Sequence, residues 1–181
     1  MLPVELKQIE TERLNLRGWT LQDAEACYRH AKNPNVGPHA GWKPHEDVKE
    51  SEKIIVEIFQ PNNAWAIVDK SNETIIGCIG LEPDKRRPDI SSRELGYWLA
   101  EEYWGKGIMT EAAKAVIEYA FTQMELDIVS ICTSPENKRS QGVIEKCCFT
   151  YEGMLRKSYK IYDGSTRDTL CYSLLKEEWM R

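Results

Sequence analysis

Short runs of alternating apolar and polar residues take turns along the chain with longer runs of helical spacing. Thr11–Arg17 (TERLNLR) sets Leu14 and Leu16 between polar neighbours and reads as a half-buried strand. Thr20 then offers an N-cap, and Asp23 an acid near the start, for a helix over Leu21–Lys32 that Asn33-Pro34 ends. Val36–His45 reads as a loop through Gly37, Pro38, Gly41 and Pro44, and it carries His39, Trp42 and His45. A second amphipathic helix is expected over Glu46–Phe59, with Val48, Ile55 and Ile58 or Phe59 inward. Ala64–Asp69 and Thr74–Leu81 flank the turn residues Ser71-Asn72-Glu73 as a hairpin. Asp84–Ser91 reads as a solvated loop and Arg93–Ala100 as the next strand. Gly105-Lys106-Gly107 opens a long helix through Met124, with Met109, Ala112, Val116 and Ala120 at helical spacing. A buried strand (Asp127–Thr133), a helix (Pro135–Cys147) and two strands about Asp163-Gly164 complete the chain. The order β-α-α-β-β-β-α-β-α-β-β predicts an α/β class, a mixed sheet with helices on both faces.

Composition narrows the function classes. The 181 residues are 41% apolar, enough for one domain spanning 1–181 with a proper core. The net charge of −5 argues against nucleic acid as a partner and suits a cationic substrate. Met1–Glu10 has charges and no apolar core, so it does not read as an export signal. The most apolar stretch, Ala112–Phe121, is broken by Lys114 and Glu118 and too short to span a membrane. The expectation is a cytoplasmic protein in a reducing compartment, with its six cysteines free. Neither these cysteines nor the three histidines fall at metal-ligand spacing, so no metal is expected.

The chemically informative stretch runs from Glu102 to Thr110 (EYWGKGIMT), between a strand and a helix. Two glycines one residue apart let the backbone turn sharply beside a ligand. The N–H groups of the following helix's first turn lack internal partners and attract phosphate. Lys106 adds a full charge. A Walker loop fails because Gly107 follows Lys106, and a dinucleotide loop fails because Thr110 stands where a third glycine belongs. A coenzyme A pyrophosphate loop and an ordinary tight turn remain on spacing alone.

The flanking residues extend the match. The segment resembles the signature of the GNAT acetyltransferase superfamily, [QR]-x-x-G-x-[GA], with Gly105 and Gly107 at its small positions and Glu102 in place of Gln or Arg. LGYWLAEEYWGKGIMTEA is similar to the RimJ/RimL branch, which includes ribosomal-protein alanine acetyltransferases. So are TERLNLR, the N-x-x-S of Asn137–Ser140, the E-K-C-C-F-x-x-E-G of Glu145–Gly153, and Tyr172-Ser173-Leu174 leading to Glu178-Trp179. These segments keep their order from Thr11 to Trp179. Cys148 departs, standing where the branch has glycine before the phenylalanine.

The resemblance implies a GNAT-type acyl-CoA N-acyltransferase fold: a twisted, mostly antiparallel sheet with one splayed parallel pair. It implies that the strand at Leu95–Ala100 carries a bulge and splays from Asp127–Thr133, with acetyl-CoA as co-substrate in the gap. The pantetheine arm then maps to Trp98, Leu99 and Ala100, and the pyrophosphate to Gly105, Lys106, Gly107, Ile108, Met109 and Thr110. Asn137 maps to a cofactor contact, and Lys138 and Arg139 to nucleotide phosphates or a solvated face. Many superfamily members protonate the leaving thiolate from a tyrosine on the helix after the second parallel strand. That helix has none here, and Ser140, its only hydroxyl, takes the role unless it only caps the helix.

The acceptor amine must attack as the free base, although an alkylammonium has a pKa of about 10, so a general base is useful. Glu94 matches a catalytic glutamate of several members, and Glu82 lies just after the preceding strand. The branch's acidic residue after E-G-x-L-R is Tyr159 here, which separates this chain from that mechanism. His39, Trp42 and His45 lie where the resemblance roofs an acceptor site. The expected activity is acetyl transfer to a primary amine, a small molecule or a protein N-terminus, by direct attack in a ternary complex. The alternatives are a catalytically silent acyl-CoA-binding module and a nucleotide-dependent oxidoreductase, the latter disfavoured by Thr110. An edge strand near the C-terminus suits a homodimer.

Overall fold

The computed structural model describes residues 6–181, so residues 1–5 of the N-terminal segment read above lie outside the described residues. Among the described residues eight strands form one sheet in the order β1-β2-β3-β4-β5-β6-β8-β7. They are β1 (Ile9–Glu10), β2 (Leu14–Gly18), β3 (Ala64–Asp69), β4 (Thr74–Pro83), β5 (Ser92–Leu99), β6 (Ile128–Thr133), β7 (Thr150–Lys160) and β8 (Thr166–Leu175). Among the described residues only β5 and β6 run parallel; every other neighbouring pair is antiparallel.

Side chains alternate across a strand, so each strand feeds two cores. On one face, Leu14, Leu16, Trp65, Ile67, Ile79, Leu81 and Leu95 pack beneath the long helix α4 (Ile108–Thr122) and α5 (Lys138–Lys146). On the other, Ala66, Val68, Cys78 and Trp98 meet Ala24, Cys27 and Ala31 of α1 (Ala24–Ala31) and Ile55, which follows α3 (Val48–Ile54). Burial keeps the Cys27 thiol protonated, with its pKa pushed up to about 12.

Several boundaries depart from the sequence expectation, each for a local reason. Val36–His45 contains a short helix, α2 (Gly37–Ala40): Pro38 sits in the first turn, where its missing N–H costs nothing, and Gly41 ends it at φ 91°. The second long helix begins at Val48 because Asp47 caps it, accepting the Glu50 N–H at 2.8 Å. Its last turn, Ile55–Phe59, widens to π geometry and leaves Ile58 41% exposed, so Ile58 is not the inward residue. Asp84 is no solvated loop residue: it is 4% exposed and accepts from Ser130 Oγ at 2.7 Å and Arg87 Nη1 at 3.0 Å. The helix expected from Pro135 begins at Lys138, capped by Asn137. Cys148, just past its end, adopts φ 62°, a left-handed conformation in which glycine is free of strain.

Candidate active site

β5 follows β4 in one unbroken register from Pro83–Arg93 to Gly77–Leu99, while β6 pairs along its whole length with β8. The parallel ladder therefore pairs Ser92–Leu95 with Ile128–Ile131 and stops. The gap opens without the bulge expected in β5, because each strand stays with its antiparallel partner. Past Leu95, the edge of β5 turned toward β6 has no strand partner.

A cleft of ≈ 300 Å³ occupies this gap. Trp98 and Leu99 form one wall, Gly105 and Gly107–Thr110 another, and Asn137–Ser140 with Val143 a third. Gly105 and Gly107 adopt φ 72° and 74°, and Gly107 is the N-cap of α4, whose first-turn N–H groups have no intrahelical acceptor. The loop is braced from far away in sequence. Glu111 in the first turn of α4 accepts from Thr11 Oγ1 (2.6 Å), Arg13 N–H (2.9 Å) and Arg13 Nε (2.7 Å). Arg13 also donates to the Lys106 carbonyl at 3.0 Å. The TERLNLR segment, read above as a strand and as part of the family resemblance, thus also fixes the glycine turn.

Two of the expected cleft residues stand elsewhere. Ala100 is fully buried and its N–H donates to the Ile76 carbonyl at 2.8 Å, so that group is committed to the protein. Lys106 does not line the cleft; its Nζ stands 5.3 Å from the centroid of the Tyr103 ring. Lys138 and Arg139 both line it, and the Arg139 guanidinium stacks on Trp104 at 3.8 Å.

Ser140 is buried, and its backbone N–H, not its hydroxyl, takes part in the cap, donating to Asn137 Oδ1 at 3.1 Å. Its Oγ lies 2.9 Å from Tyr97 Oη. Burial raises the Tyr97 pKa above the ordinary phenol value despite the hydrogen bond it shares with Ser140, so the phenol stays protonated. Sequence reasoning sought a tyrosine on α5 and missed this one on β5. The alternation of β5 carried the signal, since it turns Leu95, Tyr97 and Leu99 to the face that α5 covers.

Tyr97, Ser140, Asn137 and His39 also border a second cavity of ≈ 630 Å³. It carries Glu82 and Glu94, which face each other across the β4–β5 ladder, and Tyr159. Glu94 is held by Arg86 at 2.8 Å. Among the described residues Glu82 has no such ion pair: desolvation in the cavity raises its pKa, the like charge of Glu94 adds to the effect, and Lys85 offsets only part of it. A third hollow, ≈ 440 Å³, contains Trp42, His45, Phe59 and Trp98 and shares Glu82, Gly96, Tyr97 and Tyr159 with the second. His39 and His45 thus border different spaces. Burial lowers the pKa of both, favouring neutral imidazoles, and the cations Arg139 and Arg167 add to this at His39. His45 Nδ1 lies 2.7 Å from Ser51 Oγ, which fixes its ring. Tyr159 packs on Gly41, where a Cβ would come within 2.4 Å of its ring. Arg167 donates to the Pro38 carbonyl at 2.7 Å, tying the β7–β8 hairpin to α2.

Among the described residues no helix is long and apolar enough to cross a membrane, and no cluster of three His, Cys, Asp or Glu is suited to a metal ion. The family described as acetyltransferase (GNAT) domain matches residues 13–150. The chain is 30% identical over 179 residues to an uncharacterized N-acetyltransferase, p20, of Bacillus licheniformis, covering 96% of this chain and 99% of p20. It is 27% identical over 188 residues to the [ribosomal protein uS5]-alanine N-acetyltransferase of Escherichia coli, covering 95% and 92%. A GNAT-family acetyltransferase structure from Bacillus anthracis superposes with a TM-score of 0.84 at 23% identity, covering 95% of this chain and 100% of that one.

Proposed function

The chain belongs to the GNAT acetyltransferase family and is an acetyl-CoA-dependent N-acetyltransferase, and from that premise we propose that one domain, residues 1–181, moves the acetyl group to a primary amine within a ternary complex. The observation that carries the reading is the Tyr97–Ser140 pair at the junction of the 300 Å³ cleft and the 630 Å³ cavity. A hydroxyl pair at the meeting point of two substrates' spaces supports proton delivery there.

The cleft suits an acyl-CoA by its walls. The unpaired edge of β5 at Trp98 and Leu99 offers backbone groups to an extended amide arm, in the manner of an added strand. Gly105 and Gly107–Thr110 at the head of α4 would hold the pyrophosphate, assisted by Lys138 and Arg139. Acetyl-CoA supplies the thioester. The amine nitrogen bonds to the carbonyl carbon, the carbon–sulfur bond breaks, and the amine's proton must leave. Glu82 is the base in this reading, because its raised pKa makes its carboxylate more basic, whereas Arg86 occupies Glu94. The Ser140 hydroxyl gives a proton to the departing thiolate and takes one from Tyr97, and the proton that Glu82 removed from the amine returns to Tyr97 through the cavity they share. That proton path speaks against a silent acyl-CoA-binding module.

Both a small amine and a protein N-terminus suit this chemistry, and the E. coli relative is named for alanine acetylation of a ribosomal protein. Thiol release from acetyl-CoA, followed across amines and N-terminal peptides with mass detection of the acetylated product, tests the reading. Turnover of one class establishes transfer. Tight acetyl-CoA binding without any turnover overturns it in favour of the silent module.

A further inference from the structure

We propose that the acceptor is a primary monoamine carried on an apolar, ring-sized body, and that this body lodges in a pit floored by Gly80 and Gly96; the inference rests on the acetyl-transfer reading above. The register places Gly80 directly opposite Gly96, Cys78 opposite Trp98, and Glu82 opposite Glu94. Residues two apart on a strand share a face, so these three pairs lie in a row on one side of the sheet. A glycine pair in the middle of the row removes both side chains and leaves a depression. An indole stands at one end and two carboxylates at the other. A Cβ on Gly96 would meet nothing within 4 Å, and one on Gly80 would press on Ala64 at 3.1 Å.

The elements opposite complete the hollow with apolar groups: Trp42, Ile54, Ile58 and Phe59. Trp42 and Trp98 meet edge to face, their centroids 6.3 Å apart. The ≈ 440 Å³ enclosed falls within the range of small-molecule sites, about 300–1,000 Å³.

Charge decides the class. Two carboxylates border this hollow, Glu82 and Glu50, and Glu50 Oε2 already accepts the Glu46 N–H at 2.6 Å. Among the described residues the one cation there, Lys43, is paired with Glu46. One acceptor carboxylate at one end of an apolar pit matches one amine at one end of an apolar body. A polyamine would bring further ammonium groups against tryptophan and isoleucine, with only the half-occupied carboxylate of Glu50 to meet them. A peptide would lay its backbone amides on the face of a sheet, where they find no ladder partner, rather than along an edge.

The test uses 2-phenylethylamine, spermidine and a peptide with N-terminal alanine as acceptors for the full-length enzyme and for Gly96→Val. Valine suits an extended strand, and its side chain would enter open space, so the variant folds and fills the pit. The expected result is a preference for 2-phenylethylamine of at least about tenfold in kcat/KM. In Gly96→Val its KM rises by at least about tenfold while acetyl-CoA affinity by calorimetry is unchanged. Ile58→Arg, at the 41% exposed rim, raises the same KM by repelling the amine. Preference for spermidine or the peptide, or an unchanged KM in Gly96→Val while acetyl transfer persists, overturns the inference and leaves the transfer reading intact. Acetyl-CoA binding with no turnover of any acceptor overturns both.

Discussion

The hydrogen bond between Tyr97 Oη and Ser140 Oγ, 2.9 Å long, separates a catalytic role for Ser140 from a structural one by magnitude. If the bond only holds β5 against α5, Ser140→Ala loses one buried hydroxyl contact, worth about 1 kcal/mol, and any kinetic effect stays below about fivefold. If the Ser140 hydroxyl protonates the thiolate, the loss is that of a general acid, about 10²–10⁴-fold in kcat, or roughly 2.7–5.4 kcal/mol. Because Asn137 caps α5 through the Ser140 backbone N–H, the alanine variant keeps its helix start. We therefore expect Ser140→Ala to lower kcat by at least about 10²-fold with acetyl-CoA affinity changed less than about fivefold. Tyr97→Phe acts only by resupplying Ser140 and should cost about tenfold. The double variant should be no worse than Ser140→Ala, giving a coupling energy near the whole Tyr97 effect, about 1.4 kcal/mol. Steady-state kinetics on the four proteins, with calorimetry for acetyl-CoA, supply every number. A kcat loss under about fivefold in Ser140→Ala, or effects that add in the double variant, refutes the proton path.

Three further outcomes follow from the same geometry. Desolvation and Glu94 raise the Glu82 pKa, so kcat/KM should rise with pH through a value above the ordinary carboxylate range; Glu82→Gln should remove that limb and lower the rate by about 10²-fold. The same shift favours the protonated fold, so the stability Glu82 contributes is present at low pH and lost as pH rises through the raised value. Burial pushes the Asp84 carboxyl up, but hydrogen bonds from Ser130, the Arg86 N–H and Arg87 outweigh it and hold the pKa down. Its stabilisation is present at neutral pH and lost as pH falls through that lowered value, and Asp84→Ala should cost about 2 kcal/mol in denaturant titration by taking the acceptor from the buried Ser130 hydroxyl, while Arg87 keeps Glu152. Cys148→Gly should relieve a left-handed residue at φ 62° and raise stability by about 1 kcal/mol, or about 2–4 °C in Tm.

What the sequence made legible is what short-range rules control. The glycine turn, the long helix and the alternating β3–β4 hairpin each declare themselves within a dozen residues, and the structure has all three. What stayed hidden depends on register between distant segments. Tyr97 meets Ser140 across 43 residues, and Thr11 meets Glu111 across 100. No local pattern encodes such pairs; they appear only once β5 is laid beside β4 and α5 is folded over it. The expected bulge belongs with them, since the gap comes from where β5 and β6 choose different partners.

The same reasoning explains why Glu94 attracted attention in the sequence and why Glu82 is the base we propose. A carboxylate on the strand beside the gap looks placed for a base, and nothing in its neighbours along the chain says otherwise. Arg86 reaches it from the β4–β5 loop and pairs with it at 2.8 Å. Glu82, directly opposite on β4, has only the more distant charge of Lys85 near it and borders two of the spaces that Tyr97 lines. Two carboxylates facing each other would repel, and the fold resolves this by neutralising one and leaving the other reluctant to ionise. If Glu94→Gln slows transfer as much as Glu82→Gln does, the pair shares the proton and this division of labour fails. A much smaller loss in Glu94→Gln, with the acid limb of the pH profile shifted toward lower pH by removal of the like charge, assigns the proton to Glu82.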